Sequence, residues 1–147
     1  MGGNVELDQA LAAAEAEVPE CVAVSYVDAT PGALLGLRAS DPIAQGGAAL
    51  VAATTTELLR SPGLAAAEAV FDRGRHEGAP MPHVEEIVVT AREHVHLVIR
   101  LKTRRTRAVV FVCRASVQAD VALGHARAAA ATLEATTRDP FERGSTP

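Results

Sequence analysis

The segment from Pro42 to Arg60 constrains the fold of this chain more than any other part of the sequence. Asp41 precedes it with a carboxylate that suits the free N–H groups of a helix start, and Pro42 suits the first helical position, where no donor is needed. The pattern ends at Pro62 and the glycine after it. It predicts a single helix about 28 Å long, enough to cross a whole sheet.

This helix is apolar or small on two sides. The first stripe at helical spacing is Ile43, Gly47, Leu50, Thr54 and Leu58, and the second is Ala44, Ala48, Val51 and Thr55. A helix on the surface of a monomer needs only one such face, which packs on its own core. We therefore predict that a second protein surface covers the other face.

The rest of the sequence predicts a helix, a hairpin, a three-strand meander and a final helix around the long one. The predicted elements are helix Val5–Val18, strands Cys21–Val27 and Ala33–Arg38, a short helix Leu64–Phe71, strands Glu85–Ala91, Val95–Lys102 and Ala108–Cys113, and helix Val117–Thr136 capped by Ser116. Between them, residues 72–83 are rich in Gly, Pro and charge and predict a loop. These elements predict a single α/β domain built on one mostly antiparallel five-stranded sheet.

Composition excludes several classes of function. With 147 residues the chain has room for one domain, and its net charge of −4 argues against nucleic-acid binding, which usually needs a basic surface. No apolar run is long enough to span a membrane, and the N-terminus lacks the basic and apolar regions of a secretory signal. We expect a cytoplasmic protein that does not insert into membranes.

Few residues suggest chemistry. His94 and His96 alternate on a predicted strand and project from one face, and Glu85 or Glu86 could add a ligand for zinc. A two-residue motif is loose, however, and two polar side chains at a turn explain it better. The basic run Lys102–Arg107 is typical of a solvated hairpin turn, although it could also contact an acidic partner. We predict no catalytic residue, no cofactor and no metal site.

The stretch CVAVSYVDATPGALLGLRAS, followed by the capped alanine-rich helix, the meander and the last helix, resembles the roadblock/dynein-light-chain family over residues 5–136. The resemblance implies strand order 2-1-5-4-3, with the long helix on one face and the two terminal helices on the other. It divides the chain into a roadblock-like domain, residues 1–136, and a polar tail, residues 137–147. Residues 64–83 depart from the family pattern beside the implied interface.

The resemblance also implies partners and function. Family members form homodimers through their middle helices and third strands, and they regulate or scaffold small Ras-like GTPases, motors and signalling complexes. A bacterial branch includes a GTPase-activating protein that supplies no catalytic arginine and repositions the GTPase's own residues. For this chain it implies a non-enzymatic regulator or scaffold whose interface is Ile43, Ala44, Gly47, Ala48, Leu50, Val51, Thr54, Thr55, Leu58, Ile87 and Val89.

The family strand order would also place Cys21 and Cys113 on adjacent strands. A disulfide or redox switch is then conceivable, while buried core thiols are favoured because a cytosolic setting keeps thiols reduced.

Two other functions stay open. A sensory domain that binds a small molecule is the main alternative, but aromatics are only 3% of the chain and few large side chains are present to line a pocket. A metal enzyme using His94 and His96 is the other.

Overall fold

The computed structural model describes residues 5–30, 32–40, 42–71 and 84–141. Within them the chain forms α1 (Val5–Glu17), β1 (Cys21–Asp28), β2 (Ala33–Ala39), α2 (Pro42–Leu59), α3 (Pro62–Phe71), β3 (Glu86–Thr90), β4 (His94–Arg100), β5 (Arg107–Arg114) and α4 (Ala119–Thr136). The predicted loop at 72–83 and the predicted capping residue Asp41 lie outside the described residues.

The five strands form one sheet in the order β2-β1-β5-β4-β3, and every neighbouring pair is antiparallel. Helix α2 packs on one face over β1 and β2, whereas α1 and α4 pack against each other and on the opposite face. The predicted fold class and the strand order implied by the resemblance are both confirmed.

The larger core lies between the sheet and the pair α1 and α4. The predicted alternation of β4 holds, since Val95, Leu97 and Ile99 all belong to this core. Val98 points to the other side and packs beneath α2. In β5 both faces are buried, as expected for the central strand of a sheet covered by helices on both sides.

The beginning of α4 differs from the prediction. The helix starts at Ala119 rather than Val117, and its N-cap is Gln118, whose side chain makes no capping hydrogen bond. Ser116 is therefore not the cap. At α3 a serine does serve this role, because the Leu64 amide donates to Ser61 Oγ at 3.2 Å and Pro62 takes the first helical position.

The β4–β5 turn is not the solvated basic loop that the sequence predicts. Glu134 of α4 accepts hydrogen bonds from the backbone amides of Lys102, Thr103 and Arg104 at 2.8–3.1 Å. Arg104 donates in turn to the Glu134 carbonyl at 3.1 Å and to the Thr137 carbonyl. Although burial opposes it, this set of donors holds the pKa of Glu134 below its usual range. The turn is thus fastened to the end of α4.

Arg107, at the start of β5, lies at the centre of a buried cluster of charged side chains. Its Nε lies 2.7 Å from Asp139 Oδ2 and its Nη1 lies 3.0 Å from Asp28 Oδ2. Asp139 is buried, so the packed unit extends beyond residue 136 into the predicted tail. The adjacent Arg138 amide donates to Glu6 Oε1 at 3.1 Å, which ties this segment to the first turn of α1.

Gly36 of β2 sets how closely α1 can approach the sheet. A Cβ there would lie 3.0 Å from Leu7 Cδ2 and 3.1 Å from Leu11 Cδ1, and both leucines are buried. We expect Gly36→Val to lower the free energy of unfolding by about 1–3 kcal/mol, because the added methyl groups enter filled space. Gly124→Ala is the matched control, since no atom of the described residues lies within 4 Å of a Cβ placed at this glycine. The control should stabilise α4 by up to about 1 kcal/mol, and urea denaturation measures both variants.

We expect Arg107→Met to cost about 3 kcal/mol of unfolding free energy, because it leaves the buried Asp139 without its cation. Arg38→Met removes an exposed pair with Glu15 at 3.3 Å and should cost less than about 1 kcal/mol. Equal losses in the two variants, measured by urea denaturation, would contradict a structural role for the Arg107 cluster.

Candidate interaction surface

Helix α2 rests on the sheet through small side chains. Ala48 packs with Val22 and Val112, and Ala52 packs with Val98 and Val110. Because alanine side chains are small, they let the helix axis lie close to the strands.

The opposite side of α2 is exposed and apolar. Gly47 and Thr54 are exposed, Leu50 is 71% exposed and Leu58 is 40% exposed, and all four belong to the first stripe of the sequence pattern. The Thr54 hydroxyl donates to the Leu50 carbonyl at 2.9 Å, so it needs no outside partner. We call Gly47, Leu50, Thr54 and Leu58 the α2 stripe.

The second stripe of the sequence pattern lies elsewhere. Ala48 and Thr55 are only 3% and 5% exposed, and they pack within the protomer. Val51 is half-buried against the core beneath α2. Within a single protomer, Ala48 and Thr55 therefore belong to the core rather than to the exposed surface. The side chains of Ile43 and Ala44 lie outside the described residues.

Hydrogen bonds fix the C-terminal end of α2. Buried Arg100 of β4 donates from Nη2 to the Leu59 carbonyl at 2.9 Å, and from Nε to the Val84 carbonyl at 2.8 Å. A cation at a helix C-terminus also interacts favourably with the helix dipole. Arg60 donates to the Thr30 carbonyl in the hairpin turn. These contacts hold the α2 stripe in one orientation relative to the sheet.

Strand β3 lies at an edge of the sheet beside this surface. Among the described residues it pairs only with β4, which leaves its outer backbone groups free for another strand. Ile87 is half-buried and sits opposite Val98, on the α2 side, and Val89 follows on that side. Val88 is exposed on the other face.

Helix α3 adds apolar surface that the sequence did not single out. It has no buried residue and exposes Leu64, Val70 and Phe71, the last of which is 85% exposed. An open cavity of about 640 Å³ separates α3 from β3 and is bordered by Leu64, Glu68 and residues 84–88. The only sign of this apolar surface in the sequence is an alanine-rich run without an evident polar face.

The histidine motif does not gather metal ligands. The rings of His94 and His96 are 6.3 Å apart, and the described ranges contain no group of three His, Cys, Asp or Glu suited to a metal. The glutamates named as possible ligands are paired elsewhere, Glu85 with Arg105 and Glu86 with Arg127 at 2.7 Å. Glu86 also faces the α4 side of the sheet, opposite Ile99.

None of the helices in the described ranges is long and apolar enough to span a bilayer.

The fold matches solved structures over most of the chain. A Roadblock/LC7 domain from Streptomyces avermitilis superposes with a TM-score of 0.63 at 15% identity, covering 87% of this chain and 94% of that one. Myxococcus xanthus MglB gives 0.64 at 8% identity, with 95% and 98% covered. MglB in a tetrameric arrangement gives 0.63 at 13% identity, with 92% and 93% covered.

No protein-family model matches the sequence, and no curated protein matches it. Because the sequence identities to these solved structures are low, the structural likeness is evidence of fold, and it shows that the chain has the roadblock fold.

His96 lies on the α2 side of the sheet, and its Nδ1 is buried with no hydrogen-bond partner among residues 5–30, 32–40, 42–71 and 84–141. Burial, together with the charge of His94, lowers the pKa of His96. As the pH falls below about 6.5, His96 is protonated in the unfolded chain before it is protonated in the folded protein. The free energy of unfolding therefore decreases as the pH falls below this value. We expect His96→Gln to show a smaller decrease than the unmodified protein between about pH 7.5 and about pH 5.5 in urea titrations. His125→Gln, at an exposed position of α4, is the matched control.

Proposed function

We propose that this chain, which has the roadblock fold, is a non-enzymatic module that forms a homodimer through α2 and β3 and regulates or scaffolds a small Ras-like GTPase. The observation that carries the proposal is the α2 stripe. It is an apolar helix face that stays exposed because the helix packs on its own sheet with its opposite side.

Self-association would remove this face from water. Burying a leucine side chain contributes about 1.5–3 kcal/mol, and a two-fold axis repeats each contact on both subunits. Gly47, one turn before Leu50, and Thr54, between Leu50 and Leu58, are small enough for a second helix to approach closely. A partner helix of the same sequence therefore fits the stripe.

The edge strand supports the same geometry. β3 has the sequence EIVVT, whose exposed residues Val88, Val89 and Thr90 carry no charge to discourage pairing. Its one charged side chain, Glu86, is held by two hydrogen bonds from Arg127 at 2.7 and 2.8 Å. Pairing β3 with its copy would join the two sheets while the α2 helices meet on one side.

The GTPase partner is supported by the resemblance in the sequence and by the MglB and roadblock structures that share the fold. We infer that the dimer acts on the GTPase by binding and repositioning its residues rather than by supplying a catalytic group. Among the described arginines, Arg100, Arg104 and Arg107 are committed to contacts within the protomer.

Leu50→Glu tests the dimer because it places a charge in the centre of the stripe without disturbing the protomer core. We expect this variant to sediment as a monomer at concentrations where the unmodified protein is a dimer. Val121→Glu is the matched control, since Val121 is an exposed valine on α4, on the opposite face of the sheet. It should remain dimeric.

The same three proteins test the partner when mixed with a GTP-loaded small Ras-like GTPase from the same genome. Binding is measured by co-elution and hydrolysis by the time course of phosphate release. We expect the unmodified protein and Val121→Glu to bind, and Leu50→Glu to bind more weakly. Faster phosphate release identifies an activator and unchanged release a scaffold. A Leu50→Glu variant that stays dimeric would exclude the α2 interface, and absence of binding by all three would exclude the GTPase.

A further inference from the structure

Cys21 and Cys113 face each other across the central strand pair. They are direct partners in the antiparallel register of β1 and β5, and both side chains lie on the α1 and α4 side of the sheet. Directly opposed residues of an antiparallel pair have Cα atoms about 4.5–5.5 Å apart. A disulfide needs a Cα separation of about 4.4–6.8 Å, so the backbone already has the required spacing.

The two sulfurs differ in access and in hydrogen bonding. Cys113 is fully buried, while Cys21 is half-buried and donates from Sγ to the Ala23 carbonyl at 3.4 Å. Contact between the thiols raises the pKa of Cys21 and lowers that of Cys113. Access rather than acidity decides which thiol reacts first, because an external disulfide can reach Cys21 but not the buried Cys113.

We propose that Cys21 and Cys113 form a thiol–disulfide exchange site that accepts a low-molecular-weight disulfide such as oxidised glutathione and closes into a disulfide between β1 and β5. The site is separate from the α2 stripe and does not depend on the proposed function.

The exchange proceeds in two steps. Cys21 releases its proton and attacks one sulfur of the small disulfide, whose S–S bond breaks and whose first thiolate takes up a proton. The Cys113 thiolate then attacks Cys21 Sγ, the mixed disulfide breaks, and the second small thiol leaves with the proton of Cys113. Two protein thiols are oxidised to one disulfide, and the external disulfide is reduced to two thiols.

Closure would restrain the segment beneath α2. The register of β1 against β5 shifts between Cys21 and Ala23, and Val22 in this bulge packs with Ala48 of α2. The bond would also restrict the unfolded chain, so the oxidised protein should unfold at a higher urea concentration than the reduced one.

The test is incubation of the full chain with oxidised glutathione, followed by intact mass spectrometry and non-reducing electrophoresis. The unmodified protein should lose the mass of two hydrogen atoms and migrate as a single chain. Cys113→Ser should instead gain one glutathionyl group, because Cys21 is accessible but has no resolving thiol. Cys21→Ser should react much more slowly, because Cys113 is buried. Cys113→Ala replaces the serine variant if the buried hydroxyl disturbs folding.

Three results would overturn the proposal. In the first, the unmodified protein stays reduced under conditions that modify Cys21 in the Cys113 variant. In the second, it accumulates glutathione on Cys21 without closing the bond. In the third, it forms disulfides only between chains.

Discussion

Alanines of α2 pack closely on valines of the sheet, and this contact determines both the core beneath the helix and the surface left outside it. Ala48 and Ala52 let the helix settle on Val22, Val98, Val110 and Val112 with little space between them. Because the small side chains are used on the sheet side, the larger Leu50 and Leu58 remain on the outer side. The same packing thus forms the core beneath α2 and leaves exposed the face on which the proposed dimer depends.

The sequence predicted the order of elements and the alternation of β4, because both follow from local periodicity. It did not decide which side of α2 packs on the sheet. Both stripes have the helical spacing of three and four, and the usual expectation that leucine lies inside and smaller residues outside is reversed here. In the structure it is Ala48 and Thr55 that lie inside, over β1 and β2.

The charged residues were harder to interpret from sequence, because their partners are distant along the chain. Arg107 and Asp139 are separated by α4, and Arg100 reaches the end of α2. A run of basic residues in a turn gives no local sign of such contacts, and it was interpreted as solvated. The closed β4–β5 turn and the packed segment after α4 therefore come from long-range hydrogen bonds and ion pairs rather than from propensity.

The hydrogen bond between the Arg138 amide and Glu6 brings the first turn of α1 beside the segment that follows α4. The described domain is therefore almost a ring of elements whose two ends meet on the side of the sheet away from α2. A short linker across this junction would close the ring at a small entropic cost, and new termini could then be opened at an exposed turn such as residues 91–93. The same packed sheet is thus compatible with circularly permuted chains, whose termini lie at a different turn.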